Sequence, residues 1–246
     1  MYPPANRCII TIFILIGLVS AQQVSYSSPS CHSPDYNAAR SCLNEPGENG
    51  GPLDNGPGRS EVLMRIEKQC TYDTPEGNFR IHYDTVGIHA VLDPWVDENP
   101  PDGHPDFVNR CGDYFEQSWT LFDTLGYSLP PIDGEGGGGV DLYDIYMHNY
   151  MGRFGICFPE SPSSQYPGRP NDYTSYIYVN PRFDDSGYPD RTIPLRITAV
   201  HQFFHAVQYA YNLWAGEWFM ENCATWIEDI LFDNVNHNYN FLPYFF

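Results

Sequence analysis

Two histidines four residues apart, His201 and His205, are the pair in this chain best spaced for chemistry. On a helix that spacing stacks two side chains on one face, so both imidazoles can reach a single metal ion. The run His201, Gln202, Phe203, Phe204, His205 has the outline of HExxH, in which two His ligate zinc and the intervening Glu takes the proton of the metal-bound water. The Glu position holds Gln202, a neutral amide. A Gln can hydrogen-bond a water, but it has no basic site near neutral pH and cannot carry a proton. The expected third ligand is Glu221, placed so that one short turn and a return helix bring its carboxylate back to the histidines and leave a fourth position for water. Glu217 and Glu228 share roughly its face and are rival third ligands. A second cation site is conceivable in the loop 97–106, where Asp97, Asn99, Asp102 and Asp106 surround Pro100, Pro101 and Gly103. That spacing departs from the EF-hand template for Ca²⁺, and a solvated acidic turn capping the next helix is the competing expectation.

These side chains need a helix pair and a sheet to hold them. Thr192 and Pro194 can start the first helix of the pair, and Val200, Phe203, Phe204 and Val207 give it an apolar face. His201, His205 and Gln208 share a different stripe. A turn through Asn212 to Gly216 leads to a second helix from about Trp218 to Phe232. Upstream, Phe79, Ile81 and Tyr83 alternate with Arg80, His82 and Asp84 and predict a half-buried strand. Pro105 and Asp106 open a helix that reaches Leu125, with Phe107, Cys111, Phe115, Ser118, Phe122 and Leu125 along one stripe and Gly126 at its end. Val140 to Tyr146 and Tyr176 to Val179 are further strand candidates, separated from that helix by the Gly-rich turn 134–139. Val62, Leu63 and Ile66 predict a short helix within 60–69.

The 12 Lys+Arg against 31 Asp+Glu give a net charge of -19, which repels nucleic acid and anionic membrane surfaces and suits a cation-binding protein. Residues 1–21 read as a secretory signal: Arg7 is its only charge, Ile9 to Val19 are apolar, and Val19, Ser20 and Ala21 suit cleavage. No later run is long enough to span a bilayer. Residues 22–75 read as a low-complexity segment ending in the short helix, and 76–246 as the folded domain. Without Cys8, the cysteines are Cys31, Cys42, Cys70, Cys111, Cys157 and Cys223, an even set that suggests disulfides in an oxidising compartment; the sequence does not choose among the 15 connectivities, of which a Cys31 to Cys42 bridge is one element.

Several stretches carry a family resemblance: Phe79 to Asp84, Pro105 to Val108, Tyr143 to Tyr146, Ser175 to Tyr178, the His201 helix with Phe203, Phe204, Ala206 and Gln208, and Trp218 to Asp229. From about Phe79 onward the chain resembles the secreted zinc metallopeptidases known from myxobacterial genomes, within the zincins that take Glu as third ligand. The resemblance implies an α+β, zincin-like fold with a mixed sheet packed on an active-site helix and a second helix supplying the third ligand. It implies Zn²⁺ on His201, His205 and Glu221, and an edge strand that takes an extended peptide. Two departures go with it. The family pattern has Glu where this chain has Gln202, and it continues past the second helix into a C-terminal lobe that walls the cleft, so the domain is expected to be incomplete at Phe246. The expected function is that of a secreted zinc metallopeptidase weakened by Gln202. The alternative is an inactive secreted protein that binds metal and peptide.

Overall fold

The computed structural model describes residues 65–132, 140–150 and 152–240. The expected secretory signal 1–21, the polar stretch 22–59 with the expected Cys31–Cys42 bridge, residues 60–64 of the expected short helix, the Gly-rich turn 134–139 and the aromatics 244–246 lie outside the described residues. The architecture is α+β. A five-stranded mixed sheet has the order β1 (Cys70–Asp73), β2 (Phe79–Tyr83), β3 (Tyr143–Met147), β5 (Tyr173–Val179), β4 (Gly155–Pro162). The central pairs β2–β3 and β3–β5 are parallel, and both edge strands run antiparallel to their neighbours. Helices α1 (Asp106–Thr124), α2 (Thr192–Tyr209) and α3 (Glu217–Leu231) follow, with a short 3₁₀ turn at His237–Asn240. Among the described residues no helix is long and apolar enough to cross a membrane.

Strand alternation sends Phe79, Ile81, Tyr83, Tyr143, Ile145, Met147, Ile177 and Val179 into the main core with the helices. Their neighbours Tyr146, Ile156, Phe158, Tyr176 and Tyr178 build a separate aromatic cluster on the other face. Strands apolar on both faces are what a parallel sheet centre requires. Phe203 of α2 is the hub of the main core: its ring lies 5.0 Å from Phe79, 5.7 Å from Phe122 and 5.8 Å from Trp119. The helix carrying the histidines is thereby wedged between sheet and α1.

Helix α1 stops for a backbone reason. Gly126 takes φ 80°, its N–H reaches Asp123 O, and the Tyr127 N–H reaches Phe122 O at 3.0 Å, which satisfies two carbonyls of the last turn. Leu125, expected on the buried stripe, is instead 50% exposed because the helix has already ended there. At the other end of α1, Asp106 accepts the N–H groups of Glu98 and Asn99, and Asp97 accepts those of Asp102 and Gly103. Asp102 takes the His104 N–H and the Asn109 amide. The carboxylates considered for calcium thus tie the turn to itself.

Two strands were missed, and the part of the expected helix 60–69 that is described is not helical. Within residues 65–69, Ile66 packs on the outer aromatic cluster, while Lys68 pairs with Asp84 at 2.7 Å, which draws the segment out along the sheet. Strand β1 follows directly, so the sheet begins ahead of residue 76. Strand β4 went unread because Gly155, Pro159 and Pro162 interrupt its pattern; as an edge strand it tolerates them. The cysteines Cys70, Cys111, Cys157 and Cys223 are free thiols.

Gly155 marks where β4 comes closest to α2. A Cβ there would lie 2.5 Å from Thr198 Cγ2 and 3.0 Å from both Gln202 Cγ and the Tyr178 carbonyl oxygen. Gly155→Ala must therefore push strand and helix apart, and a stability loss of about 1–3 kcal/mol is expected in chemical denaturation. A neutral result would mean that the contact between β4 and α2 is loose.

Candidate metal centre

Helix α2 is buried nearly all round, so its histidines are held without solvent freedom: His201 is 1% and His205 4% exposed. Just before the helix, Asp190 accepts the Thr192 N–H and hydroxyl at 2.9 and 2.7 Å. The expectation that the imidazoles sit on a stripe apart from the apolar side is met in direction, but both faces are interior. Helix α3 returns antiparallel after the turn 210–216 and lays Glu221 against them.

The three side chains converge. His201 Nε2 and His205 Nε2 are 3.1 Å apart. The Glu221 carboxylate presents Oε2 to His201 Nε2 at 3.3 Å and Oε1 to His205 Nε2 at 3.4 Å. Ligand atoms bound tetrahedrally at about 2.0–2.1 Å from one ion stand about 3.3 Å from each other, so these separations suit a common cation. Among the described residues this is the one group of three or more His, Cys, Asp or Glu whose candidate ligand atoms, all within 4.8 Å of one another, could hold a metal ion.

Hydrogen bonding at the far side of each ring sets the tautomers. His201 Nδ1 lies 2.5 Å from Glu228 Oε1, a carboxylate that can only accept, so Nδ1 carries the proton. His205 Nδ1 lies 2.8 Å from Gln208 Oε1, and the Gln208 amide nitrogen donates to the Met220 carbonyl at 3.0 Å. That second contact fixes Oε1 as an acceptor, so His205 Nδ1 also carries its proton. In the neutral state both Nε2 atoms would then face each other as lone pairs 3.1 Å apart. Such an arrangement repels unless a cation or an added proton lies between. The residues present fit a divalent metal on donor chemistry, geometry and tautomer.

Charge gives the same answer. Burial pulls the His201 pKa down, but Glu221 and Glu228 more than reverse it and raise it to about 10. Without a metal, the site therefore holds a proton on His201, as imidazolium, in the space between the rings. Glu217 is raised by burial and by the Glu221 charge. It is not among the three converging ligands, and the carboxylate at Glu228 is turned to the back of His201. Neither rival candidate for third ligand occupies that role.

Gln202 is fully buried and borders a small, largely enclosed cavity with His205, Glu221, Cys157, Tyr209, Glu217 and Met220. Neither its amide nitrogen nor its oxygen has a hydrogen-bond partner. An unsatisfied buried polar group costs about 1–3 kcal/mol, so the amide faces a position made for a ligand or solvent rather than for packing. Burial pushes the Cys157 thiol up to about 12, which keeps it neutral beside this cavity.

Sequence spacing anticipated His201, His205 and Glu221. The roles of Glu228 and Gln208 were not anticipated, although Gln208 was seen on the histidine stripe, because a helical stripe does not say which side of a ring an acceptor will occupy. Nothing in the local sequence marked Cys157, since strand β4 was not recognised. No family model, curated protein or solved structure matches this chain.

Proposed function

We propose that this chain is a secreted, zincin-like zinc metallopeptidase homologue in which metal binding is kept and hydrolysis is crippled by Gln202. The observation that carries it is the convergence of His201 Nε2, His205 Nε2 and the Glu221 carboxylate on one point, with an acceptor behind each ring at Nδ1. A zinc ion there would supply an activated water and polarise a carbonyl. The chain's own contribution is orientation: Glu228 aims the His201 ring, and Gln202 offers a donor and an acceptor toward the cavity. A carboxylate at residue 202 would take and return a proton; an amide does not. General acid–base action is worth about 10²- to 10⁴-fold, which is the expected deficit.

The edge strand β4, whose Gly155 end packs on α2 beside Gln202, is the surface on which an extended peptide would add antiparallel. The same observation supports a second reading, a protein that holds metal and peptide without cutting. The unpartnered Gln202 amide favours it, because a donor and an acceptor can hold a water at the small cavity without taking its proton.

Metal analysis tests the shared part of both readings. The purified chain is expected to carry one zinc per molecule, and His205→Ala and Glu221→Ala to carry none. A ligand that binds only the folded state also raises stability, by about 2.7 kcal/mol at a free concentration one hundred times Kd, so added zinc raises the Tm of the natural chain and not of these variants. Unchanged metal content in His201→Ala would reduce the histidines to packing residues.

A further inference from the structure

We infer that Gln208 is a positioning residue of the metal centre, fixing His205 as the Nδ1–H tautomer and coupling that ring to the helix that carries Glu221. The inference rests on the metal-centred reading above and adds a residue to it. Its basis is the pair of contacts made by one carboxamide. Gln208 Nε2 donates to the Met220 carbonyl at 3.0 Å, an atom that can only accept, and this leaves Oε1 as the atom 2.8 Å from His205 Nδ1. Flipping the amide would set its oxygen against the Met220 carbonyl, acceptor against acceptor, and lose the one donor that carbonyl has from Gln208. The orientation is therefore chosen by the molecule.

Two consequences follow from the placement. Met220 precedes Glu221, so the bridge fixes the register of α3 at the very residue that brings the third carboxylate to the site. The two rings are also held by different chemistry: His201 by the Glu228 carboxylate and His205 by a neutral amide. Partners that orient ligating histidines in this way are commonly worth about 10- to 100-fold in metal affinity.

Substitutions that separate the two contacts give the test. Gln208→Glu keeps an acceptor for His205 Nδ1–H and gives up the donor to Met220. Gln208→Lys keeps a donor for Met220 and removes the acceptor, so the ring is pressed to turn its Nδ1 lone pair toward the ammonium and its Nε2–H toward the metal. Zinc affinity is measured by competition with a chromophoric chelator, and the His205 tautomer by ¹H–¹⁵N spectra of the metal-free protein. The expected result is Nδ1–H in the natural chain and in Gln208→Glu, with zinc affinity kept within a few-fold. Gln208→Lys is expected to show Nε2–H and to lose zinc affinity by at least 10-fold. A purely structural tie between helices predicts the opposite order, with Lys tolerated and Glu harmful, and that order would overturn the inference. So would an Nε2–H tautomer in the natural chain. Failure of the metal reading is separate: it shows as no zinc bound by the natural chain, whatever the spectra report.

Discussion

Gln202→Glu is expected to raise zinc-dependent peptide hydrolysis by about 10²- to 10⁴-fold over the natural chain, with zinc content unchanged. Residue 202 sits at the cavity with His205 and Glu221 but is not one of the three converging ligands, so the substitution changes proton transfer and removes no ligand. The side chains are nearly isosteric, and Gln202 is fully buried against β4, so the new carboxylate must occupy the same place. It would arrive there without a hydrogen-bond partner, since neither end of the present amide has one. A buried, unpaired carboxylate is costly, and the metal-free variant should unfold at lower temperature than the metal-free natural chain. Zinc then stabilises the variant more than it stabilises the natural chain, because the cation offsets the added negative charge. Cleavage is measured on an unstructured protein substrate with zinc-loaded samples. A fully loaded variant that cuts no faster would remove Gln202 from the account. Robust cleavage by the natural chain, lost on His205→Ala, would show that a residue other than 202 handles the proton.

Zinc affinity should climb about tenfold for each pH unit from neutrality toward about 10, with one proton released for each ion taken up. The metal-free site holds His201 protonated up to about pH 10, since the carboxylates of Glu221 and Glu228 outweigh the burial that opposes its charge. An ion must displace that proton to use Nε2, so proton and metal compete for one position. The same shift fixes the sign for folding. The His201 pKa is about 10 when folded and the ordinary 6.5 when unfolded, so the stability it contributes to the metal-free protein is fully present below about 6.5. That contribution is lost as pH rises through about 10. The zinc-loaded protein lacks this decline, because its His201 is already deprotonated. Chemical denaturation with and without chelator over that range checks both statements. Metal uptake that releases no proton near pH 8 would contradict them.

The outer face of the sheet has no part in this chemistry, yet it limits how far the sequence could be read. Asp144 is fully buried there, paired with Arg65 and with His82 Nε2 at 2.6 Å, and Arg65 continues to Glu160. In the sequence His82 and Asp144 read as polar positions on strand candidates, Arg65 falls in the expected short helix, and Glu160 lies on the unread β4. Only the pairing of β2, β3 and β4 with the segment at Arg65 turns them into an interior network.

By itself, the sequence determined what depends on short-range spacing. The i, i+4 interval put His201 and His205 on one face of a helix; Pro105 with Asp106 and then Gly126 bounded α1; and Phe79, Ile81 and Tyr83 announced β2. It also revealed the neutral amide at residue 202, on the helix shared with the two histidines. Tertiary structure decided which carboxylate faces the imidazoles and which stands behind one. Glu221 and Glu228 lie on nearly the same face of α3, and the crossing of α3 over α2 sends the first to Nε2 and the second to Nδ1. It decided the tautomers as well, since these depend on acceptors brought from Met220 and Glu228 across the helix pair. Helical periodicity fixes direction around one axis, whereas ligation depends on depth and on the neighbouring element, which no local pattern encodes.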